Sequence, residues 1–225
     1  MAFQTYSAKD AKDDAFARVL LLGPPKLGKT TSLVTTAPRP LVLNCDGDSA
    51  LKFPADAGAE FEAGDVLNAA DYLAACKYAV ARAATGEIES IILDSVSVLV
   101  DNLTAELESK GLSGREMWGE LMATGMRGFR LLLTAQAHLF VVAHYVPTLD
   151  TASGVVPGIG GQLKTLIPAR MHDWVLFSYE AGRKPERMYL LGPQPGWNAS
   201  GRNIKRSCAV EATVPALFDE LGITL

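Results

Sequence analysis

Short unbroken apolar runs alternate along the chain with longer stretches whose apolar residues recur every three to four positions. The runs cover 17–22, 40–45, 90–93 and 139–143 and are rich in Val, Ile and Leu. They lack the in-out alternation of a half-exposed strand, so they suit strands buried on both faces of a parallel sheet. The periodic stretches, 30–36, 69–84, 96–110 and 116–135, read as helices. Strand and helix in turn predict an α/β fold, with a mainly parallel central sheet flanked by helices. After Tyr145 the texture changes. Residues 146–165 are rich in Gly, Pro, Ser and Thr and carry no clear period. Loops of that length in a compact domain usually have a functional role. Strand-like runs return at 173–179, 187–191 and 207–211, with Gly182, Pro193, Pro195, Gly196 and Gly201 between them. They predict C-terminal antiparallel hairpin strands, closed by a helix at 214–221. The polar lead, 1–15, is expected to be an arm, and 16–225 a single domain.

Between the first apolar run and the first helix stands Gly23-Pro24-Pro25-Lys26-Leu27-Gly28-Lys29-Thr30, a complete G-x-x-x-x-G-K-[ST] phosphate loop. Its glycines let backbone N–H groups turn inward around phosphates, and the helix that follows aims its positive end at the same place. Lys29 reaches the β- and γ-phosphates, the Thr30 hydroxyl suits Mg²⁺, and Thr31 extends the contact. The bland alternative is a loop that keeps the pattern without a ligand. Asp94 ends the run Ser90-Ile91-Ile92-Leu93 and is the candidate carboxylate for Mg²⁺; otherwise it caps the next helix. Asp46 and Asp48 leave the second strand in Asn44-Cys45-Asp46-Gly47-Asp48 and are both candidates to orient an attacking water, although Asp-Gly-Asp is also a favoured turn. His144 ends the fourth run beside the expected crevice and is a candidate sensor of the γ-phosphate. His138 and His172 read as ordinary polar residues.

Composition narrows the classes. The chain has 225 residues, 48% hydrophobic and 20% charged, with net charge −4. That argues against a uniformly basic nucleic-acid binder while leaving room for a local basic groove. Cys45, Cys76 and Cys208 are far apart and form no C-x-x-C pair, so they read as reduced thiols. The polar start lacks an apolar signal core, and no apolar run approaches the ~20 residues that span a bilayer. A soluble, cytoplasmic protein with no membrane partner is expected.

The order of motifs resembles a RecA-type ATPase core, in particular the short phage RecA-like recombinases of the Sak type, from about residue 16 to about residue 178. Asp46-Gly47-Asp48-Ser49-Ala50-Leu51 resembles the family's catalytic segment, which implies Asp48 as the water-orienting residue beside Lys29. Ile91-Ile92-Leu93-Asp94-Ser95-Val96 resembles its magnesium strand. His144 falls where the family carries a γ-phosphate-sensing glutamine. Gly160-Gly161-Gln162-Leu163-Lys164 resembles the close of its second DNA-binding loop, and the segment 109–118 falls near the first.

The resemblance implies a phage-encoded, DNA-stimulated ATPase that uses ATP and Mg²⁺, binds single-stranded DNA, and promotes annealing or homologous recombination. It also implies a homo-oligomeric ring or filament with ATP at subunit interfaces, and a single-strand-binding protein as a further partner. Gly160 and Gly161 allow close approach to phosphodiesters, and Lys110, Arg115, Lys164 and Arg170 are the cations that would pair with them. Trp118 could stack on a base, although a Trp on an amphipathic helix is more often a core residue. Arg183, Lys184, Arg202 and Lys205 are candidates to reach a neighbour's nucleotide. Competing readings are an AAA-type motor or loader, a small-molecule kinase and a non-hydrolysing scaffold. Residues 146–163 carry no arginine, which tells against a kinase lid.

Overall fold

The computed structural model describes residues 16–47, 49–147, 155–180, 186–193, 201–204 and 206–224. The chain enters through β1 (Arg18–Leu22), α1 (Lys29–Thr36), β2 (Pro40–Asn44), α2 (Ser49–Asp56) and β3 (Glu62–Asp65). It continues through α3 (Ala69–Ala84), β4 (Ser90–Asp94), α4 (Val96–Ser109), α5 (Gly114–Leu132) and β5 (His138–Ala143). A small hairpin, β6 (Tyr145–Pro147) with β7 (Val155–Pro157), leads to the one-turn α6 (Leu163–Leu166) and a 3-10 turn at Pro168–Arg170. The last elements are β8 (Asp173–Glu180), β9 (Glu186–Leu191), β10 (Cys208–Glu211) and α7 (Val214–Leu221).

Eight strands form one sheet in the order β10-β9-β8-β1-β5-β4-β2-β3. The strands from β8 to β3 are parallel, and β9 and β10 extend the sheet antiparallel. This is the expected α/β architecture, including the C-terminal antiparallel strands. Alternate residues of the central strands feed two cores. Leu20, Leu22, Leu139 and Val141 pack with Tyr72, Leu103 and Phe129 of α3, α4 and α5. Val19, Leu21, Phe140 and Val142 pack on the other face with Leu33 of α1 and Phe218 of α7. Each fully buried large side chain contributes about 1.5–3 kcal/mol, so these two faces outweigh any single polar contact in fixing the sheet.

Local signals set the helix ends. Asn68 caps α3 by accepting the Asp71 N–H at 2.9 Å, and Thr213 caps α7 through the Ala216 N–H at 3.4 Å. α3 and α5 pack closely because α5 carries Gly128 at the contact. A Cβ there would lie 2.3 Å from the Tyr72 ring, whose hydroxyl donates to the Gly125 carbonyl at 3.2 Å.

Two elements had no expectation. The sequence of β3, Glu-Ala-Gly-Asp, has no strand pattern; it is a mostly exposed edge strand that forms by pairing with β2. α2 contains Pro54, a residue that argues against helix in a sequence but is accommodated in this short one. The segment 146–165 was expected to be irregular; its described parts hold β6, β7 and α6. The polar lead 1–15 lies outside the described residues, and no helix among those described is long and apolar enough to cross a membrane.

At the edge opposite the strand ends that follow β1, His138 opens β5. It is buried, its Nδ1 accepts the Ala17 N–H at 3.1 Å, and its ring lies 4.6 Å from that of Phe218. Burial first, then the Arg18 charge, lowers its pKa to about 4 from 6.5. The fold therefore favours the neutral imidazole. Its contribution to stability is full above pH 6.5 and is lost as pH falls from there to about 4. Urea titrations at pH 7.5 and pH 5 should give a clearly lower midpoint at pH 5, and His138→Gln should remove most of that difference. An unchanged pH difference in the variant would refute this assignment.

Candidate nucleotide-binding site

β1 ends at Leu22, and the Gly23 N–H donates to the Ala143 carbonyl of β5 at 3.3 Å. The loop then turns through Pro24 to Leu27 and enters α1 at Gly28. Gly28 has φ +97°, a left-handed conformation that favours glycine. A Cβ there would also lie 3.0 Å from the Arg187 guanidinium carbon, so the side chain would have to shift to admit one. α1 has no side-chain cap and no acidic residue in its first turn. Its leading N–H groups therefore face the loop with no side-chain acceptor, an arrangement suited to an anion. Lys29 is only 5% exposed. Its Nζ donates to the carbonyls of Gly23 at 3.0 Å and Pro24 at 2.7 Å. Burial lowers its pKa, while Asp94 and Asp46 oppose that shift.

The Thr30 hydroxyl donates to Asp94 Oδ2 at 2.5 Å, linking the loop to the end of β4 across the intervening β5. Asp94 is 2% exposed. Burial, with Asp46 nearby, raises its pKa to about 6, against the Thr30 hydrogen bond and the Lys29 charge. Asp46 is exposed and lines the same cavity. Asn44 shapes the turn that presents it. The Asn44 Nδ2 donates to the Gly47 carbonyl at 3.0 Å and to Asp65 at 2.7 Å, while its Oδ1 accepts the Asp46 N–H at 3.3 Å. Asp48 lies outside the described residues.

These groups fit a magnesium nucleotide. The oxygen donors of Thr30 and Asp94 are of the kind Mg²⁺ takes, and a buried carboxylate with a raised pKa is one short of positive partners. Among the described residues no three His, Cys, Asp or Glu gather into a metal cluster. That suits an ion which takes its remaining ligands from phosphates and water. Bound there, the ion would neutralise phosphate charge. Lys29 and the N–H groups of α1 would bind the phosphates, and Asp46 stands at the cavity wall where a water can be held.

The cavity is about 680 Å³ and is lined by Pro25, Lys26, Thr31 and Phe53 as well as by these groups. His144 also lines it, from the end of β5. Burial and the Lys29 charge hold its imidazole below the usual range. Its main chain is fixed at both ends: the N–H donates to Ser97 Oγ at 3.0 Å, and the carbonyl accepts the Gly158 N–H at 2.7 Å.

Beyond Gly158 the chain reaches a second cleft of about 810 Å³, lined by Arg115, Trp118, Gly161 and Lys164. Three of the expected DNA-contacting residues thus converge: Arg115 from α5, Gly161 from the turn before α6 and Lys164 from α6 itself. Gly160 borders them: Cβ atoms on Gly160 and Gly161 would lie 3.5 and 2.9 Å from the Trp118 ring. Trp118 was expected in the core but is 43% exposed. Lys110 and Arg170 do not share the cleft. Lys110 pairs with Glu106 at 2.5 Å, and Arg170 donates to the Leu166 carbonyl at 2.8 Å beside a different cavity, with Arg202. Arg183, Lys184 and Lys205 lie outside the described residues. Arg187 was missed altogether; at the start of β9 its sequence neighbours give no sign that it faces the loop.

Comparison with curated proteins finds no match. The family model described as AAA domain matches residues 15–203, which contain the phosphate loop, Asp94 and His144. With that match over most of its length and a phosphate loop set at the edge of a parallel sheet, the chain belongs to the AAA domain family of P-loop NTPases.

Proposed function

We propose that the protein is a RecA-like ATPase that binds single-stranded DNA in the Trp118 cleft and promotes annealing or recombination. The carrying observation is that Arg115, Trp118, Gly161 and Lys164 line one cleft, and that Gly158, three residues before Gly161, is hydrogen-bonded to His144 in the wall of the nucleotide cavity. The face of Trp118 offers a sequence-tolerant stacking platform, and the two cations suit phosphodiesters on either side. In the nucleotide cavity Lys29 and Thr30 hold the phosphates and metal, Asp94 supports the metal, and Asp46 or Asp48 orients water. His144 responds to the terminal phosphate. The net charge of −4 opposes binding by a lone subunit. The reading therefore includes a ring or filament in which several clefts act on one strand, with nucleotide near the subunit boundaries.

The decisive assay is ATP turnover with and without a poly-dT oligonucleotide. Stimulation by the oligonucleotide supports the reading. Turnover that requires a small acceptor would replace it with a kinase, and stimulation only by duplex DNA or protein would replace it with a motor.

Lys29→Ala should weaken ATP-Mg²⁺ binding on the order of 100-fold or more in calorimetric titration, because it removes a buried charge aimed at phosphates. Its apo stability should not fall, since burial already disfavours that ammonium. Equal ATP affinity in the two proteins would remove the nucleotide-binding basis of the proposal.

Asp48→Asn should lose most turnover, by about 10²–10⁴-fold, at nearly unchanged ATP affinity, because an amide cannot take the proton of the attacking water. Asp46→Asn is the paired measurement. A dead Asp46 variant beside an active Asp48 variant would transfer the role to Asp46.

Trp118→Ala should cost about 1–3 kcal/mol of oligonucleotide affinity. Lys164→Glu should weaken binding further and flatten its salt dependence, while ATP affinity stays the same. Hydrogen exchange at 155–166 should slow when poly-dT and a non-hydrolysable ATP analogue are both present. No protection, with no oligonucleotide retained in a low-salt gel shift, would refute DNA binding.

A further inference from the structure

We infer that Arg187 contacts the terminal phosphate of a bound nucleoside triphosphate within its own subunit; this rests on the ATP-binding reading of the phosphate loop. The register of the sheet places it there. β8 lies parallel to β1, with Leu176 opposite Leu22 at the end of β1. Three residues further along β8, Tyr179 pairs with Arg187 of the antiparallel β9. Arg187 therefore stands past the end of β1, at the level of the loop, on the flank away from β5 and β4.

Its direction follows from its neighbour on the same face of β9. Tyr189 is two residues on, so its side chain shares that face. Tyr189 is buried against α1, and its hydroxyl lies 2.6 Å from Ser32 Oγ. The Arg187 guanidinium is correspondingly seated on the start of α1. Cζ, Nη1 and Nη2 lie 3.0, 3.2 and 3.2 Å from the point where a Gly28 Cβ would be, so the group lies nearly face-on to that residue.

Arg187 is exposed, and the helix end it faces favours an anion over a cation. The N-terminus of a helix carries partial positive charge, and cations are stabilised at the other end. α1 offers Arg187 no acid in its first turn, and among the described residues its guanidinium makes no ion pair. Lys29, already in the loop, adds a second positive charge. A planar donor fork that remains charged at all working pH values and faces a phosphate loop matches a phosphate edge better than a packing role does. Lys29 enters the phosphate site from inside the loop, whereas Arg187 approaches from the β9 side.

The test compares ATP and ADP affinities by calorimetry, for the full-length wild type, Arg187→Ala and Arg187→Lys, at concentrations where each sediments as a monomer. Arg187→Ala should weaken ATP about tenfold or more and ADP much less, with partial recovery in Arg187→Lys. An equal loss for both nucleotides, or no loss, would overturn the inference. Failure of wild type to bind either nucleotide would instead overturn the phosphate-loop reading beneath it. A mixture of Lys29→Ala and Arg187→Ala subunits should turn over no faster than the two variants do separately, because neither carries an intact site. Restored turnover in the mixture would overturn the same-subunit assignment.

Discussion

Parallel pairing of β1 with β5, β5 with β4 and β4 with β2 forces four strand ends to one edge of the sheet. The phosphate loop, His144, Asp94 and Asp46 each follow one of those ends. No local interaction brings them together, since 64 residues separate Thr30 from Asp94. The register does so, and the register is fixed by burial on both faces. A one-residue slip in any central strand would exchange the residues facing the two cores. It would also draw the trailing functional residue along the edge. The apolar side chains of β1 and β5 are therefore as necessary to the site as the polar groups that line it.

The site itself runs against the stability of the fold. Lys29 is buried on two carbonyls, Asp94 is buried with a raised pKa, and α1 begins with no acidic cap. A buried charge without an opposite partner is costly. Surface salt bridges elsewhere, such as Arg82 with Glu62 and Glu87, contribute little to offset it. The core tolerates that cost, and the buried charges, which offset each other only in part, are of the sign and placement that a polyanion with a divalent cation would satisfy. The burial of these charged groups is thus informative about the class of ligand they suit.

How much of this was legible in the sequence depends on how each group declares itself. The phosphate loop is a contiguous spacing, and Asp94 ends an apolar run, so both could be read in one dimension. β3 could not, because a four-residue edge strand with exposed side chains depends on its partner and not on its own pattern. Arg187 was missed, and Trp118 was weighed towards the core, for a related reason. A side chain's type gives its chemistry, but its neighbours come from the far side of a hairpin or from a distant glycine pair. The same limit worked in reverse for Lys110 and Arg170. They are cations near the expected loops, yet one is taken by Glu106 and the other faces a separate cavity. Arg115, Gly161 and Lys164 do meet, because the double glycine lets the backbone settle on the Trp118 ring.

The connection between cavity and cleft is made of main chain. Ser97, at the start of α4, accepts the His144 N–H, and the His144 carbonyl accepts the Gly158 N–H, two residues before the double glycine. Between them β6 and β7 pair, with Tyr145 opposite Pro157. Because the ties are backbone groups, changing the imidazole alone leaves the connection in place and alters only the group that faces the cavity. A ligand in the cavity moves the cleft only if it binds two arrangements of this hairpin with different affinity. On the proposed reading, a nucleotide with its terminal phosphate and one without it are the two ligands that differ at His144. The imidazole, held neutral by burial and by Lys29, has a single ring N–H to donate toward that phosphate. The hydrogen bond to the phosphate would then compete with the present orientation of the ring. The free-energy difference between those two states sets the upper limit on how strongly nucleotide could bias the cleft.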